Sequence, residues 1–126
     1  MPSNCSGNIL GLRLTVFLGM AVAHKLNVGF VPIRKKGKLP GKVLRQEYTL
    51  EYGTDIVEME VDSVTEGDKI VIIDDLIATG GTMKAAEKLV SQTKGTLLGC
   101  FCLIEIDFFN GKKDINAPFV SLIHVD

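Results

Sequence analysis

The stretch KIVIIDDLIATGGT, from Lys69 to Thr82, constrains the fold of this chain more than any other part of its sequence. Its first part, Lys69 to Ile73, is a nearly continuous apolar run, which is typical of a strand buried on both faces of a parallel sheet. Two adjacent carboxylates follow, and we expect them to face an opening, because buried carboxylates without partners would repel each other. Small residues then lead into a helix that periodicity predicts over Thr82–Thr93.

The same alternation of strand and helix extends along the rest of the chain. We predict a helix over Phe17–Leu26 and strands over Val28–Arg34, Thr96–Ile106 and Phe119–His124. Two segments alternate polar and apolar residues, Arg45–Gly53 and Asp55–Asp62, and these predict a hairpin arm with a turn at Gly53. The predicted fold is therefore α/β, with a parallel twisted sheet flanked by helices and a ligand site beyond the carboxyl ends of its strands.

Composition limits the classes of partner. We predict a single domain over residues 1–126, and the net charge of -1 does not favour nucleic acid or a membrane surface. Cys100 and Cys102 lie two residues apart in an apolar run, so we expect reduced thiols in the core and a cytoplasmic protein. Arg13 interrupts the apolar run Ile9–Ala23 and no basic residue precedes it, so we expect neither a secretory signal nor a membrane span.

The residues after the two carboxylates predict a phosphate site. Small side chains let backbone N–H groups approach a ligand, threonine hydroxyls add donors, and a helix N-terminus contributes its positive dipole end. The predicted phosphate-binding residues are Ala78, Thr79, Gly80, Gly81 and Thr82. Because carboxylates accept hydrogen bonds from sugar hydroxyls, Asp74 and Asp75 would complete a site for a ribose 5-phosphate. The alternative is that Asp75 or Thr82 merely caps the helix.

Four stretches carry a resemblance to a known family. VIIDDLIATGGT resembles the phosphoribosyl-pyrophosphate motif of type I phosphoribosyltransferases, and IRKKGKLPG, YTLEYG and LIEI are similar, in order and spacing, to the adenine branch over about residues 17–126. The resemblance implies transfer of the 5-phosphoribosyl group from phosphoribosyl pyrophosphate to adenine, which gives AMP and pyrophosphate in purine salvage. It also implies a cytoplasmic homodimer, and Mg²⁺ bound mainly through the substrate diphosphate.

The same resemblance implies roles for individual residues. Arg34, Lys35 and Lys38 would bind the diphosphate, and the alternative for each lysine is a solvated surface charge. Glu51 matches the family glutamate that acts on the purine ring as a proton donor or acceptor, and Tyr52 would help the hairpin to close as a flap. The alternative for Glu51 is an ordinary exposed strand residue.

Two kinds of residue stay without an assigned role. Glu105, near the end of its strand, faces either the site or the interior. His24 and His124 are isolated in the sequence, so we assign no chemistry to them.

The N-terminal part departs from the family pattern. Family members have a longer N-terminal region that forms a hood over adenine, followed by a strand that ends in a Gly-x-Asp/Glu-x-Arg-Gly-Phe turn. This chain has GNILGLRLTVFLG at that place, and Arg13 is not followed by Gly-Phe, so we do not give it the role of the motif arginine. We treat residues 1–16 as atypical and expect the sheet to lack a strand there. The alternative function is a catalytically inactive homologue that binds phosphoribosyl pyrophosphate or AMP.

Overall fold

The computed structural model describes residues 7–12, 16–50 and 52–126, with side chains for 18–49 and 52–126. Its strands and helices, in chain order, are β1 (Gly7–Leu12), α1 (Val16–Leu26), β2 (Gly29–Lys35), β3 (Val43–Leu50), β4 (Gly53–Glu60), β5 (Lys69–Ile77), α2 (Gly81–Ser91), β6 (Thr96–Ile106) and β7 (Phe119–Val125). Short 3₁₀ turns at Asp107–Phe109 and Gly111–Asp114 connect β6 to β7.

The strands form one sheet in the order β3-β4-β2-β1-β5-β6-β7. Strands β1, β2, β5, β6 and β7 are parallel, whereas β4 runs antiparallel to both β2 and β3. The predicted α/β fold and its hairpin arm are therefore confirmed. In the described part of the chain neither helix has the length and apolar character that a membrane span requires.

The two helices cover opposite faces of the sheet. On one face, Ala23 of α1 packs near Ile73 and Phe30. On the other face, α2 buries Met83, Ala85, Ala86, Leu89 and Val90 in the larger core. Cys100 and Cys102 are free and buried in this larger core, as predicted. Burial raises the pKa of the Cys100 thiol to about 12 and that of Cys102 to about 11, so both stay protonated at neutral pH.

Strand β1 corrects the expectation that the sheet lacks a strand. It lies in the middle of the sheet, where Asn8 pairs with Gly29 of β2 and with Ile70 of β5. A central parallel strand has no polar and apolar alternation, and a short one contains too few residues to be recognised by periodicity alone. The segment GNILGL was missed for this reason.

Strand β5 is longer than predicted. It continues beyond Ile73 to Ile77, so that both carboxylates belong to the strand rather than follow it. The strand continues because β6 offers partners along this whole length: Asp74 pairs with Cys102, and Ile77 pairs with Glu105. The sequence predicted the end of the strand from its polarity, whereas backbone pairing with a neighbour decides where it ends.

Candidate functional site

A cavity of about 660 Å³ opens beyond the carboxyl ends of β2 and β5. This is the edge at which open α/β sheets bind their ligands. The cavity brings together every residue predicted for the ribose, the phosphate and the diphosphate. It is lined by Arg34, Lys35, Lys38, Asp74, Asp75, Leu76, Ile77, Ala78, Thr79, Gly80, Gly81, Thr82 and Met83.

Residues 78–82, called the phosphate loop below, run from the end of β5 into the first turn of α2. Gly80 is the N-cap of α2 and has a left-handed conformation, with φ 89° and ψ 0°. In the described part of the chain no side chain makes a capping hydrogen bond to this helix, so the alternative in which Asp75 or Thr82 caps it has no support. The first-turn N–H groups of a helix have no partner within the helix, and here they adjoin the cavity.

A segment remote in sequence supports the phosphate loop from behind. A Cβ atom on Gly80 would overlap the carbonyl group of Gly111, and one on Gly111 would overlap the carbonyl oxygen of Ala78 and lie 2.8 Å from the nitrogen of Gly80. The two backbones are therefore in direct contact, which only glycine at both positions allows. Sequence reasoning missed Gly111, because Asn-Gly in a polar loop resembles an ordinary turn.

The two carboxylates differ in exposure. Asp74 is buried, and its Oδ1 accepts a hydrogen bond from the backbone N–H of Asp75 at 2.8 Å. Asp75 is half-buried, and both residues line the cavity. The expectation that both would be open to a ligand therefore needs one correction. Asp74 is buried and lies inside β5, because the strand continues past it to Ile77. It lines the cavity from this position.

The residues from Arg34 to Lys38 are called the basic loop below, and Arg34, Lys35 and Lys38 of this loop line the cavity. The loop begins in the last two residues of β2 and continues into a turn that the hydrogen bond from Lys38 N–H to the Lys35 carbonyl closes at 3.2 Å. The ammonium group of Lys35 lies 3.2 Å from Asp55 Oδ2. The Ile56 N–H donates a hydrogen bond to the Asp55 carboxylate, and this bond together with the Lys35 ammonium holds the pKa of Asp55 below its usual value. Lys35 thus adjoins the cavity but is already paired.

The hairpin of β3 and β4 stands beside the basic loop. Tyr52, at its tip, is 94% exposed and lies outside the cavity, so a role in closure would require the hairpin to move. Glu51 falls outside the described residues. Its role as a proton donor or acceptor therefore stays a prediction.

His124 is not isolated, which corrects the sequence interpretation. Its Nδ1 lies 2.8 Å from Asp107 Oδ1 and 3.6 Å from Glu105 Oε1. Glu105 is buried, accepts a hydrogen bond from the Ser121 hydroxyl at 2.7 Å, and has the Lys112 ammonium 3.4 Å away. The side-chain atoms of Glu105, Asp107 and His124 that could bind a metal ion lie within 4.8 Å of one another. The Lys112 ammonium, however, already supplies positive charge beside the buried Glu105 carboxylate. Glu105 therefore anchors the turn that contains Gly111 instead of lining the cavity.

The known proteins that this chain resembles belong to one family. Residues 12–125 match the phosphoribosyl transferase domain family. The adenine phosphoribosyltransferase of Acetivibrio thermocellus is 53% identical over 116 residues, which are 91% of this chain and 68% of that protein. The enzyme of the same name from Maricaulis maris is 49% identical over 109 residues, 84% of this chain and 62% of that protein. The chain thus spans less than two thirds of the length of some of these relatives.

A solved structure extends the match to three dimensions. Adenine phosphoribosyltransferase of Saccharomyces cerevisiae, in complex with an imino-altritol bisphosphate and adenine, superimposes with a TM-score of 0.89 at 41% identity. The match covers 95% of this chain and 69% of that one.

Proposed function

The chain belongs to the phosphoribosyl transferase family, and we propose that it acts as an adenine phosphoribosyltransferase, which converts adenine and phosphoribosyl pyrophosphate into AMP and pyrophosphate in purine salvage. One observation carries this proposal: a phosphate loop, a carboxylate pair and a basic loop surround one cavity. These three features correspond to the three charged or polar parts of phosphoribosyl pyrophosphate. The similarity to adenine phosphoribosyltransferases supports adenine as the base.

In this proposal the phosphate loop binds the 5-phosphate. The N–H groups at the start of α2 and the hydroxyls of Thr79 and Thr82 donate to the phosphate oxygens, while the helix dipole favours their negative charge. Asp74 and Asp75 accept hydrogen bonds from the 2- and 3-hydroxyls of the ribose. Together these contacts fix C1 of the ribose relative to the diphosphate and to adenine.

The basic loop binds the diphosphate in this proposal. As the bond between C1 and the diphosphate breaks, positive charge develops on the ribose and negative charge on the leaving group. Arg34, Lys35 and Lys38 stabilise the leaving group, and Asp74 and Asp75 lie where they favour the positive charge. Lys35 must exchange its contact with Asp55 for one with the diphosphate.

Mg²⁺ would accompany the diphosphate. Asp74 and Asp75, which line the cavity, fit this ion through bridging waters, because it prefers oxygen ligands and keeps several waters. When bound, the ion neutralises charge on the diphosphate.

The base end of the site rests on the hairpin. We propose that Glu51 exchanges a proton with the purine ring and that Tyr52 moves over the cavity as the hairpin closes. Closure would exclude water, which otherwise competes with adenine for the positively charged ribose. We also propose a cytoplasmic homodimer as the working form.

A direct assay tests the function. Purified protein is incubated with radiolabelled adenine, phosphoribosyl pyrophosphate and Mg²⁺, and we expect labelled AMP. Calorimetry with ribose 5-phosphate should show weaker binding for Asp75→Asn and for Thr82→Val by roughly tenfold each, the loss of one hydrogen bond to a charged group. Asp62→Asn and Thr96→Val are matched controls, because both residues are exposed and lie outside the cavity.

Two results would contradict the proposal in different ways. If no AMP forms while phosphoribosyl pyrophosphate still binds, the chain is the catalytically inactive binder and not the enzyme. If Asp75→Asn and Thr82→Val both keep full affinity for ribose 5-phosphate, the assignment of the site itself is wrong.

A further inference from the structure

Glu58 of β4 is a buried charge outside the cavity. It is 2% exposed, and its neighbours Val57 and Met59 are 1% and 0% exposed. A buried carboxylate costs free energy unless both of its oxygens have partners. Here Oε1 accepts a hydrogen bond from the backbone N–H of Gly37 at 2.9 Å, and Oε2 accepts one from Arg45 Nε at 2.6 Å. The carboxylate is therefore satisfied from two sides, by the basic loop and by β3.

The contact with Gly37 is made at the bend of the basic loop. Gly37 has φ +85°, a left-handed conformation that favours glycine, and it lies inside the turn closed by Lys38 and Lys35. Two more contacts join the preceding residues to the same strand. Lys36 N–H donates to the Ile56 carbonyl at 3.0 Å, and Lys35 pairs with Asp55. Three consecutive loop residues are thus attached to β4.

The charge of Glu58 matters as well as its position. The basic loop concentrates Arg34, Lys35, Lys36 and Lys38 within five residues, so its cations repel one another when no anion is bound. Glu58 faces this loop as a buried anion, with Lys36 close enough to act on it electrostatically. The hydrogen bond from Arg45, and to a smaller extent the one from the Gly37 N–H, hold the pKa of Glu58 below its usual value. The carboxylate is therefore ionised at neutral pH.

We propose that Glu58 is a positioning residue for the diphosphate subsite: it fixes the backbone of the basic loop at Gly37, so that the loop cations converge on a diphosphate that Glu58 itself does not contact. The inference rests on the proposed function, since it deepens the role of the basic loop. Arg45 acts through Glu58, because its contact keeps the carboxylate charged and oriented. The ligand of this subsite is a diphosphate group, free or as part of phosphoribosyl pyrophosphate.

The test compares two ligands that engage different loops. Calorimetry measures the affinity of inorganic pyrophosphate, which needs the basic loop, and of ribose 5-phosphate, which needs the phosphate loop. Glu58→Met removes the acceptor, and we expect roughly tenfold weaker pyrophosphate binding, as for a lost hydrogen bond to a charged group. Ribose 5-phosphate affinity should stay within about twofold, because that ligand is held by hydrogen bonds of the other loop.

Two additional variants guard against a folding defect. Glu58→Gln keeps the size of the side chain and an oxygen that accepts from Gly37, and we expect a loss of about threefold, less than for Glu58→Met. Glu60→Met is the matched control on the same strand, because Glu60 is exposed, and it should bind both ligands like the wild type. Amide hydrogen exchange gives a readout without any ligand: the Gly37 N–H should exchange faster in Glu58→Met than in Glu60→Met.

The outcomes separate this inference from the proposed function. If the wild type binds both ligands and Glu58→Met binds them equally well, Glu58 has no positioning role although the site stands. Equal weakening of both ligands would also overturn the inference, since it would indicate a general loss of stability. If the wild type binds neither ligand, the proposed function is wrong, and this inference with it.

Discussion

The two loops that line the cavity are held in place by different forces. The phosphate loop is supported by direct contact between backbones, because Gly80 and Gly111 leave no room for a Cβ atom. The basic loop is supported by charges on β4, where Glu58 bonds to Gly37 and Asp55 pairs with Lys35. One wall of the site is therefore fixed by shape and the other by electrostatics.

The difference follows from what each loop would bind. A phosphate held by backbone N–H groups requires their positions to be set before the ligand arrives, and close packing does this at any salt concentration. A loop rich in cations must instead be stable without its anion, and nearby carboxylates supply that stability. Perturbing shape and perturbing charge should therefore affect the two walls separately.

The largest expected effect comes from breaking the contact behind the phosphate loop. Gly111→Ala would force a Cβ atom into the carbonyl oxygen of Ala78, and we expect the free energy of unfolding to fall by about 1–3 kcal/mol, the usual cost of overpacking. Ribose 5-phosphate affinity should fall with it, while the affinity for pyrophosphate changes less. Urea unfolding and calorimetry measure these quantities.

A nearby glycine provides the control for stability. A Cβ atom on Gly81 would meet Thr49 only at an ordinary 3.7 Å, so Gly81→Ala should unfold at nearly the wild-type urea concentration. If Gly111→Ala did the same, close packing would not be what holds the phosphate loop.

The parts of this site differ in how far the sequence predicts them. The phosphate loop, the carboxylates and the basic loop could be predicted, because each is a local run whose residue types state its chemistry. The contacts that support these runs could not be, since Gly111 and Glu58 come from other segments. In an alternating strand Glu58 has the polar position, and nothing in DIVEMEVD indicates that it is buried.

The fold follows the same rule. Strands with a clear pattern, such as β6 and the hairpin, were predicted at or near their observed bounds. Strand β1 and the last four residues of β5 were not, because their pairing partners define them. His124 seemed isolated for the same reason, as its contact Asp107 lies in a turn that only the fold brings near.

A smaller effect concerns the wall held by charge and depends on pH. The folded pKa of Glu58 is below its ordinary value of 4.5, so its stabilising contribution is present above pH 4.5 and is lost as the pH falls through the lowered folded pKa. At pH 7 the free energy of unfolding of Glu58→Gln should be about 1 kcal/mol lower than that of the wild type, which is the usual net contribution of a hydrogen bond. This gap should narrow as the pH falls below 4.5.

Urea unfolding across this pH range measures the gap, with Glu60→Gln as the control because that side chain is exposed on the same strand. A gap between wild type and Glu58→Gln that stayed constant down to the acid limit would show that the size of the side chain, and not its charge, holds the basic loop. The phosphate loop gives the contrast: the cost of Gly111→Ala should not depend on pH in this way.

The smallest expected effect concerns the pair of Lys35 and Asp55, whose side chains are 45% and 26% exposed. Exposed ion pairs contribute little to stability, so Asp55→Asn should leave the free energy of unfolding nearly unchanged. It would release the Lys35 ammonium toward the cavity, and we expect pyrophosphate to bind about two- to threefold more tightly at low salt, with the gain lost as salt screens the charges. Ribose 5-phosphate affinity should not change, and Asp62→Asn, at an exposed position, should change neither. Weaker pyrophosphate binding in Asp55→Asn would mean that Asp55 orients Lys35 for the diphosphate instead of competing for it, and charge on β4 would then help this wall of the site in both of its contacts.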